Sequence, residues 1–102
     1  MSIFKEQFLL FKIDEEKEEF EEIKITVSTL CTLLDPRFIF LIVDPKDKEI
    51  WIWHGSKATI RMKFIATQNA SKIRDKYGVD FKISAVDEGD ESPKFKDIIS
   101  LE

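Results

Sequence analysis

Two short apolar runs constrain this chain more than any other feature. Phe38-Ile39-Phe40-Leu41-Ile42-Val43 is apolar at every position, and Ile50-Trp51-Ile52-Trp53 repeats the pattern a few residues later. Successive side chains of a strand point to opposite faces, so a run apolar on both alternations belongs to a central strand covered on both sides. In the second run both isoleucines fall on one face and both tryptophans on the other. Asp44-Pro45-Lys46-Asp47-Lys48 between the runs has the composition of a turn. Neighbouring central strands are predicted, with cover above and below.

The flanking segments supply that cover. Phe8-Leu9-Leu10-Phe11-Lys12-Ile13 is an apolar run of strand length, and Phe20, Ile23, Ile25 and Val27 mark a second segment with period two from Ile23. The stretch 14–22, "DEEKEEFEE", suggests a hairpin between them. It reads either as a solvated loop or strand edge, or as a docking surface for a basic partner. Gly55 reads as a turn residue whose conformational freedom lets the chain bend sharply out of the strand, and after it the period changes. Ala58, Met62, Ile65, Ala66, Asn69, Ala70, Ile73 and Tyr77 recur at threes and fours, which predicts a helix over about 59–77. Gly78 stands where a left-handed residue commonly closes a helix. The segment 80–86 reads as a strand with Phe81, Ile83 and Ala85 inward, 87–93 as a loop, and 94–101 as a short amphipathic helix. The order β-β-β-β-α-β-α predicts an α+β fold.

Length and charge bound the function. A chain of 102 residues supports one core rather than two, so 1–102 is expected to be a single domain. A net charge of -4 leaves no basic stripe of the kind that displaces counterions from nucleic acid. No apolar run approaches the ~20 residues that span a bilayer. The N-terminal segment, interrupted by Lys5, Glu6 and Gln7, does not read as a signal peptide. Cys31 is the one cysteine, which excludes an internal disulfide and fits a reducing, cytoplasmic setting.

Catalytic chemistry finds no constellation. His54 has no second histidine to share a zinc with, and Cys31 as nucleophile would need His54 and an orienting group beside it. There is no glycine-rich loop ending in Lys-Ser/Thr to cradle a nucleotide phosphate. Trp51 and Trp53 could stack a ligand, although their two-faced apolar setting favours core packing. No enzyme activity is expected.

A family pattern runs through these elements. Trp53-His54-Gly55 ends an apolar strand, a long helix with Ala66 and Ala70 follows, and Gly89-Asp90-Glu91-Ser92-Pro93-Lys94-Phe95 precedes a short helix. Upstream, the stretch 20–26 and Cys31-Thr32-Leu33 stand where a second strand and the entry to a central strand would lie. Together they resemble the gelsolin homology domain of the gelsolin, villin and severin proteins, over nearly the whole chain. The resemblance implies a five-stranded mixed β-sheet between one long and one short α-helix, without enzymatic activity. It also implies actin, or an actin-like protein, as partner, with the long helix in the hydrophobic cleft between two actin subdomains. A single stand-alone domain would sequester monomers, cap or modulate filaments in the cytoplasm and cytoskeleton. Severing, which generally needs two contact surfaces, is less expected. The alternative is a non-actin scaffold module of the same fold, as in vesicle-coat proteins.

The family's calcium positions depart from its pattern. Alignment puts Arg37 (or, one residue off, Pro36) where the family carries an Asp, and Met62 where it carries a Glu. Calcium takes six to eight oxygen ligands, which neither a guanidinium nor a thioether supplies. The family-type site is therefore expected to be lost and no cofactor is implied, though Asp35, Asp87, Glu88 and Asp90 could form another site. Lys57, Arg61 and Lys63 cluster instead at the positive end of the helix dipole, with Arg37 near. They are either solvated cations or a patch for an acidic partner such as actin or an anionic phospholipid headgroup. Opposite the core stripe, the helix wheel gathers Ile60, Phe64, Thr67, Ser71 and Arg74, flanked by Arg61, Lys63 and Gln68. Phe64 is either an interface anchor, or covered by the N-terminal segment or the glutamate-rich loop.

Overall fold

In the computed structural model, residues 8–25 and 30–100 are described. Thr26, Val27 and Leu101, assigned above to the second strand and the last helix, lie outside them, as do the first seven residues. Strands β1 (Leu9–Asp14) and β2 (Glu19–Ile23) form the glutamate-rich hairpin. A 3-10 turn at Leu30–Thr32 leads to β3 (Ile39–Asp44) and β4 (Glu49–His54), followed by α1 (Ile60–Tyr77), β5 (Lys82–Asp87) and α2 (Pro93–Ile99). The sheet order is β2-β1-β3-β4-β5, so the two apolar runs lie at its centre. All pairs are antiparallel except β4 with β5. A parallel pair needs a long crossover, and α1 is that crossover.

Each face of the sheet carries its own core. On one, Ile39, Leu41, Val43, Ile50 and Ile52 pack against Met62, Ile65, Ala66, Ala70 and Ile73 of α1. On the other, Phe40, Ile42, Trp51 and Trp53 pack with Leu30, Val86, Phe95 and Ile98. Every residue of β3 is buried, including Asp44, whose carboxylate accepts the Lys46 and Asp47 N–H groups of the following turn. Burial pushes that carboxyl up from its ordinary value.

The segments at the two ends of the family pattern meet in space. The Trp53 indole N–H donates to Glu91 Oε2 at 2.9 Å, and Glu91 Oε1 accepts the Gly89 N–H at 3.0 Å. The Trp51 and Phe95 rings lie 5.4 Å apart, tilted, with Phe95 fully buried. Both tryptophans are thus core residues.

Three local expectations are corrected. Gly55 is required by close approach rather than by freedom to turn: a Cβ there would lie 2.2 Å from the Pro36 carbonyl oxygen and 2.6 Å from that of Phe38. Gly78 closes α1 with φ 150° and ψ 137°, a positive-φ conformation outside the left-handed helical region, its N–H donating to the Arg74 carbonyl at 2.8 Å. In β5, Ala85 is exposed on an edge strand, and Val86 is buried on the tryptophan side instead.

Candidate functional site

The outer face of α1 begins at its cap. Thr59 has extended backbone, and its hydroxyl accepts the Met62 N–H at 3.1 Å, satisfying one of the donors a helix start leaves free. From there the core stripe faces the sheet and Ile60 and Phe64, four residues apart, share the opposite side. Ile60 is 85% exposed and Phe64 64%. Thr67 and Gln68 continue this face exposed, and Ser71 and Arg74 extend it half-buried. The Thr67 hydroxyl donates to the Lys63 carbonyl at 2.9 Å and the Ser71 hydroxyl to that of Gln68 at 3.4 Å. Neither is engaged with another element through these bonds. Arg74 Nε is buried without a hydrogen-bond partner, 3.8 Å from Asp75 Oδ1.

The glutamate-rich loop does not cover Phe64. It lies along a flank of α1 about a quarter turn away, on the side of Arg61 and Asn69. Arg61 Nη2 is 2.6 Å from Glu18 Oε2 and Nη1 is 3.5 Å from Glu15 Oε2. These carboxylates raise the guanidinium's pKa further, chiefly through the Glu18 hydrogen bond. Asn69 Nδ2 donates to the Glu18 carbonyl at 3.0 Å. The stretch is therefore both a solvated turn and a neighbour of the long helix. Periodicity carries no sign of this contact. The available signal was chemical: an arginine at the dipole's positive end, and a carboxylate-rich hairpin in need of a cation.

The cationic patch is half neutralised within the fold. Arg37, like Arg61, is paired: its Nη2 is 2.8 Å from Asp35 Oδ2 and its Nε is 3.1 Å from Oδ1. That hydrogen bonding holds the Asp35 carboxyl at about 2. Lys57 and Lys63 are exposed and form no ion pair among the described residues.

At the two departed calcium positions, Met62 is buried between α1 and the sheet and Arg37 is tied to Asp35. Of the other acidic candidates, Asp87 and Glu88 are separately engaged. Asp87 Oδ1 lies 3.1 Å from His54 Nδ1, and Glu88 Oε1 accepts the Ser56 N–H at 2.8 Å. No group of three or more metal-ligating side chains comes together among the described residues. The Cys31 side chain lies outside them. No helix of the described residues is long and apolar enough to cross a membrane.

Comparison with known proteins gives this arrangement a context. The Gelsolin repeat pattern matches residues 25–96. A crystal structure of Thorarchaeota ProGel in complex with rabbit actin contains a chain of the same fold, with a TM-score of 0.78 and 28% identity. The match covers 91% of this chain and 99% of that one. A second, of Thorarchaeota 2DGel3 with rabbit actin, matches at TM-score 0.70 and 22% identity, over 97% of this chain and 48% of that longer one. The second likeness is one of fold alone. No curated protein matches the chain.

Proposed function

Because this chain belongs to the gelsolin-repeat family, whose domains are non-enzymatic, we propose that it binds actin through the outer face of α1. The ProGel relative, of nearly the same extent, was crystallised with rabbit actin, and this supports actin as the partner. The observation that carries the reading is the Ile60–Phe64 pair. Two large apolar side chains stand exposed one turn apart, at the start of a helix whose opposite stripe is buried. Such a pair is the apolar edge that helix-in-groove recognition uses, and exposed apolar patches tend to mark interfaces.

In this mode Phe64 is the anchor in the hydrophobic cleft of actin, with Ile60, Thr67, Gln68 and Ser71 packing around it. Lys63 and Arg74 form the rim, and Lys57 adds exposed positive charge beside it. Burying Phe64 contributes about 1.5–3 kcal/mol, enough for a binding hot spot. The protein then sequesters monomers, caps ends or modulates assembly in the cytoplasm.

Pyrene-actin polymerisation and co-sedimentation, each with and without calcium, test this directly. Phe64→Asp is expected to weaken actin binding at least about thirtyfold while the melting temperature stays within a few degrees. Unfolding of the variant would make Phe64 a core residue. Failure of the wild type to bind any actin would move the assignment to a non-actin scaffold module.

A further inference from the structure

The docking face begins at the end of α1 whose own charges oppose the helix dipole. Ile60 is the first residue of the helix, and the first turn contains no acidic residue to complement the dipole. Arg61 adds positive charge where the dipole is already positive. Thr59 satisfies the Met62 N–H, but the first turn remains short of intrahelical partners.

The tip of the β1–β2 hairpin reaches this turn. Glu18 Oε2 and Glu15 Oε2 both face the Arg61 guanidinium, and Thr59 Oγ1 lies 3.5 Å from Glu15 Oε2. Two turns further along the same flank, Asn69 Nδ2 donates to the Glu18 carbonyl and to that of Ile65. Glu18 has φ 57°, a left-handed conformation that non-glycine residues adopt uncommonly. Through it the one residue offers a carboxylate to Arg61 and a carbonyl to Asn69. Asp14 Oδ1 closes the tip by accepting the Glu16 and Lys17 N–H groups.

We propose that this hairpin tip is a latch on α1, with Glu15 and Glu18, acting through Arg61, as positioning residues for the docking face. They place negative charge at the helix start from outside the helix, keep its first turn ordered, and so hold Ile60 in line with Phe64. Arg61 acts inside the fold rather than on the partner. The functional half of this inference rests on the docking reading above; the ordering half does not.

The test combines native-state amide exchange of the free protein with actin affinity, in the full chain. The variants are Glu15→Gln with Glu18→Gln, Arg61→Gln, and all three together. These introduce no new charge, and the capping Thr59 and the anchors stay intact. Exposed ion pairs are individually weak, so the double glutamate variant is expected to speed exchange of the Met62 and Lys63 amides, the hydrogen-bonded ones at the helix start, about fivefold and to weaken actin binding by a similar factor. Exchange in the later turns should not move. Because the groups act as a unit, the triple variant is expected to be no worse than either parent. Unchanged first-turn exchange, exchange that quickens without loss of affinity, or additive affinity losses would each overturn the latch; additivity would also put Arg61 in direct contact with actin. Phe64→Asp serves as the separate control. If it fails to weaken binding, the docking reading falls, while amide exchange still decides whether the hairpin orders the helix.

Discussion

The two helices cover opposite faces of one sheet and differ in what they leave outside. α2 is seven residues long, capped by the Ser92 hydroxyl at the Phe95 N–H, and buries Phe95 and Ile98 against the tryptophans. α1 is eighteen residues long, buries one stripe against the isoleucines and leaves Ile60 and Phe64 in solvent. Most of the residues by which the family is recognised, Trp53, Gly55, Gly89, Glu91 and Phe95, lie away from the outer face of α1, and the other two, Ala66 and Ala70, lie on its buried stripe. Those proposed to act lie on that outer face. Recognition by pattern and recognition by partner use different parts of the molecule.

That separation can be broken at its strongest point. Phe95→Ala removes a fully buried ring packed against Trp51 and is expected to cost about 3–5 kcal/mol in urea denaturation. Actin affinity per folded molecule should stay constant. If it fell in step with stability, the two faces would be one coupled unit.

Gly55→Ala tests the junction between β4 and α1. Its Cβ would meet two backbone carbonyl oxygens, and the Gly55 N–H already donates to that of Phe38 at 3.1 Å, so neither can move cheaply. A loss of about 2–3 kcal/mol is expected in the same denaturation experiment. A loss below about 0.5 kcal/mol would show that the 36–38 segment yields more easily than its backbone contacts imply.

Glu91→Gln comes next, at about 1.5 kcal/mol, because the Trp53 and Gly89 N–H groups bond to different carboxylate oxygens and the amide NH2 that replaces one of them cannot accept. Its signature lies in acid. The Trp53 indole N–H, more than any other group, holds the Glu91 carboxyl below its ordinary value of 4.5. The folded state thus binds this proton more weakly than the unfolded chain. The stabilisation is complete above 4.5 and disappears as pH falls through the lower folded value. Urea midpoints across this range should therefore fall more steeply for the wild type than for the variant. Parallel curves would mean that the indole contact does not set the carboxyl's titration.

The fold was largely legible in the sequence because burial on both alternations of β3 and β4, and the threes and fours of α1, are properties of single elements. What was not legible depends on pairs of elements. Gly55 looked like a turn residue because its requirement comes from carbonyls at 36 and 38, which no local pattern reports. Ala85 was expected inward because alternation gives a face but not what covers it. Arg61 was grouped with Lys57 and Lys63 by charge and position, whereas its partners lie some forty residues earlier, in a stretch that reads as solvated. Ile60 and Phe64 were legible as an outward pair for the reason that makes them candidates: they break the helix's own burial pattern.

Thr59→Ala is the smallest change and bears most directly on where the two regions join. Thr59 belongs to the scaffold by its cap and to the docking face by its neighbour Ile60. Losing a threonine cap typically costs about 1 kcal/mol, which urea denaturation would resolve. Were the cap purely structural, that loss would be the whole effect, as for Phe95→Ala. The first turn carries Ile60, however, so fraying there should also lower actin affinity per folded molecule by about threefold, with Thr59→Ser restoring both readings because serine offers the same hydroxyl acceptor. A stability loss with unchanged affinity would confine the docking face to Phe64 and the residues beyond it. It would also separate the start of α1 from the surface it was taken to serve.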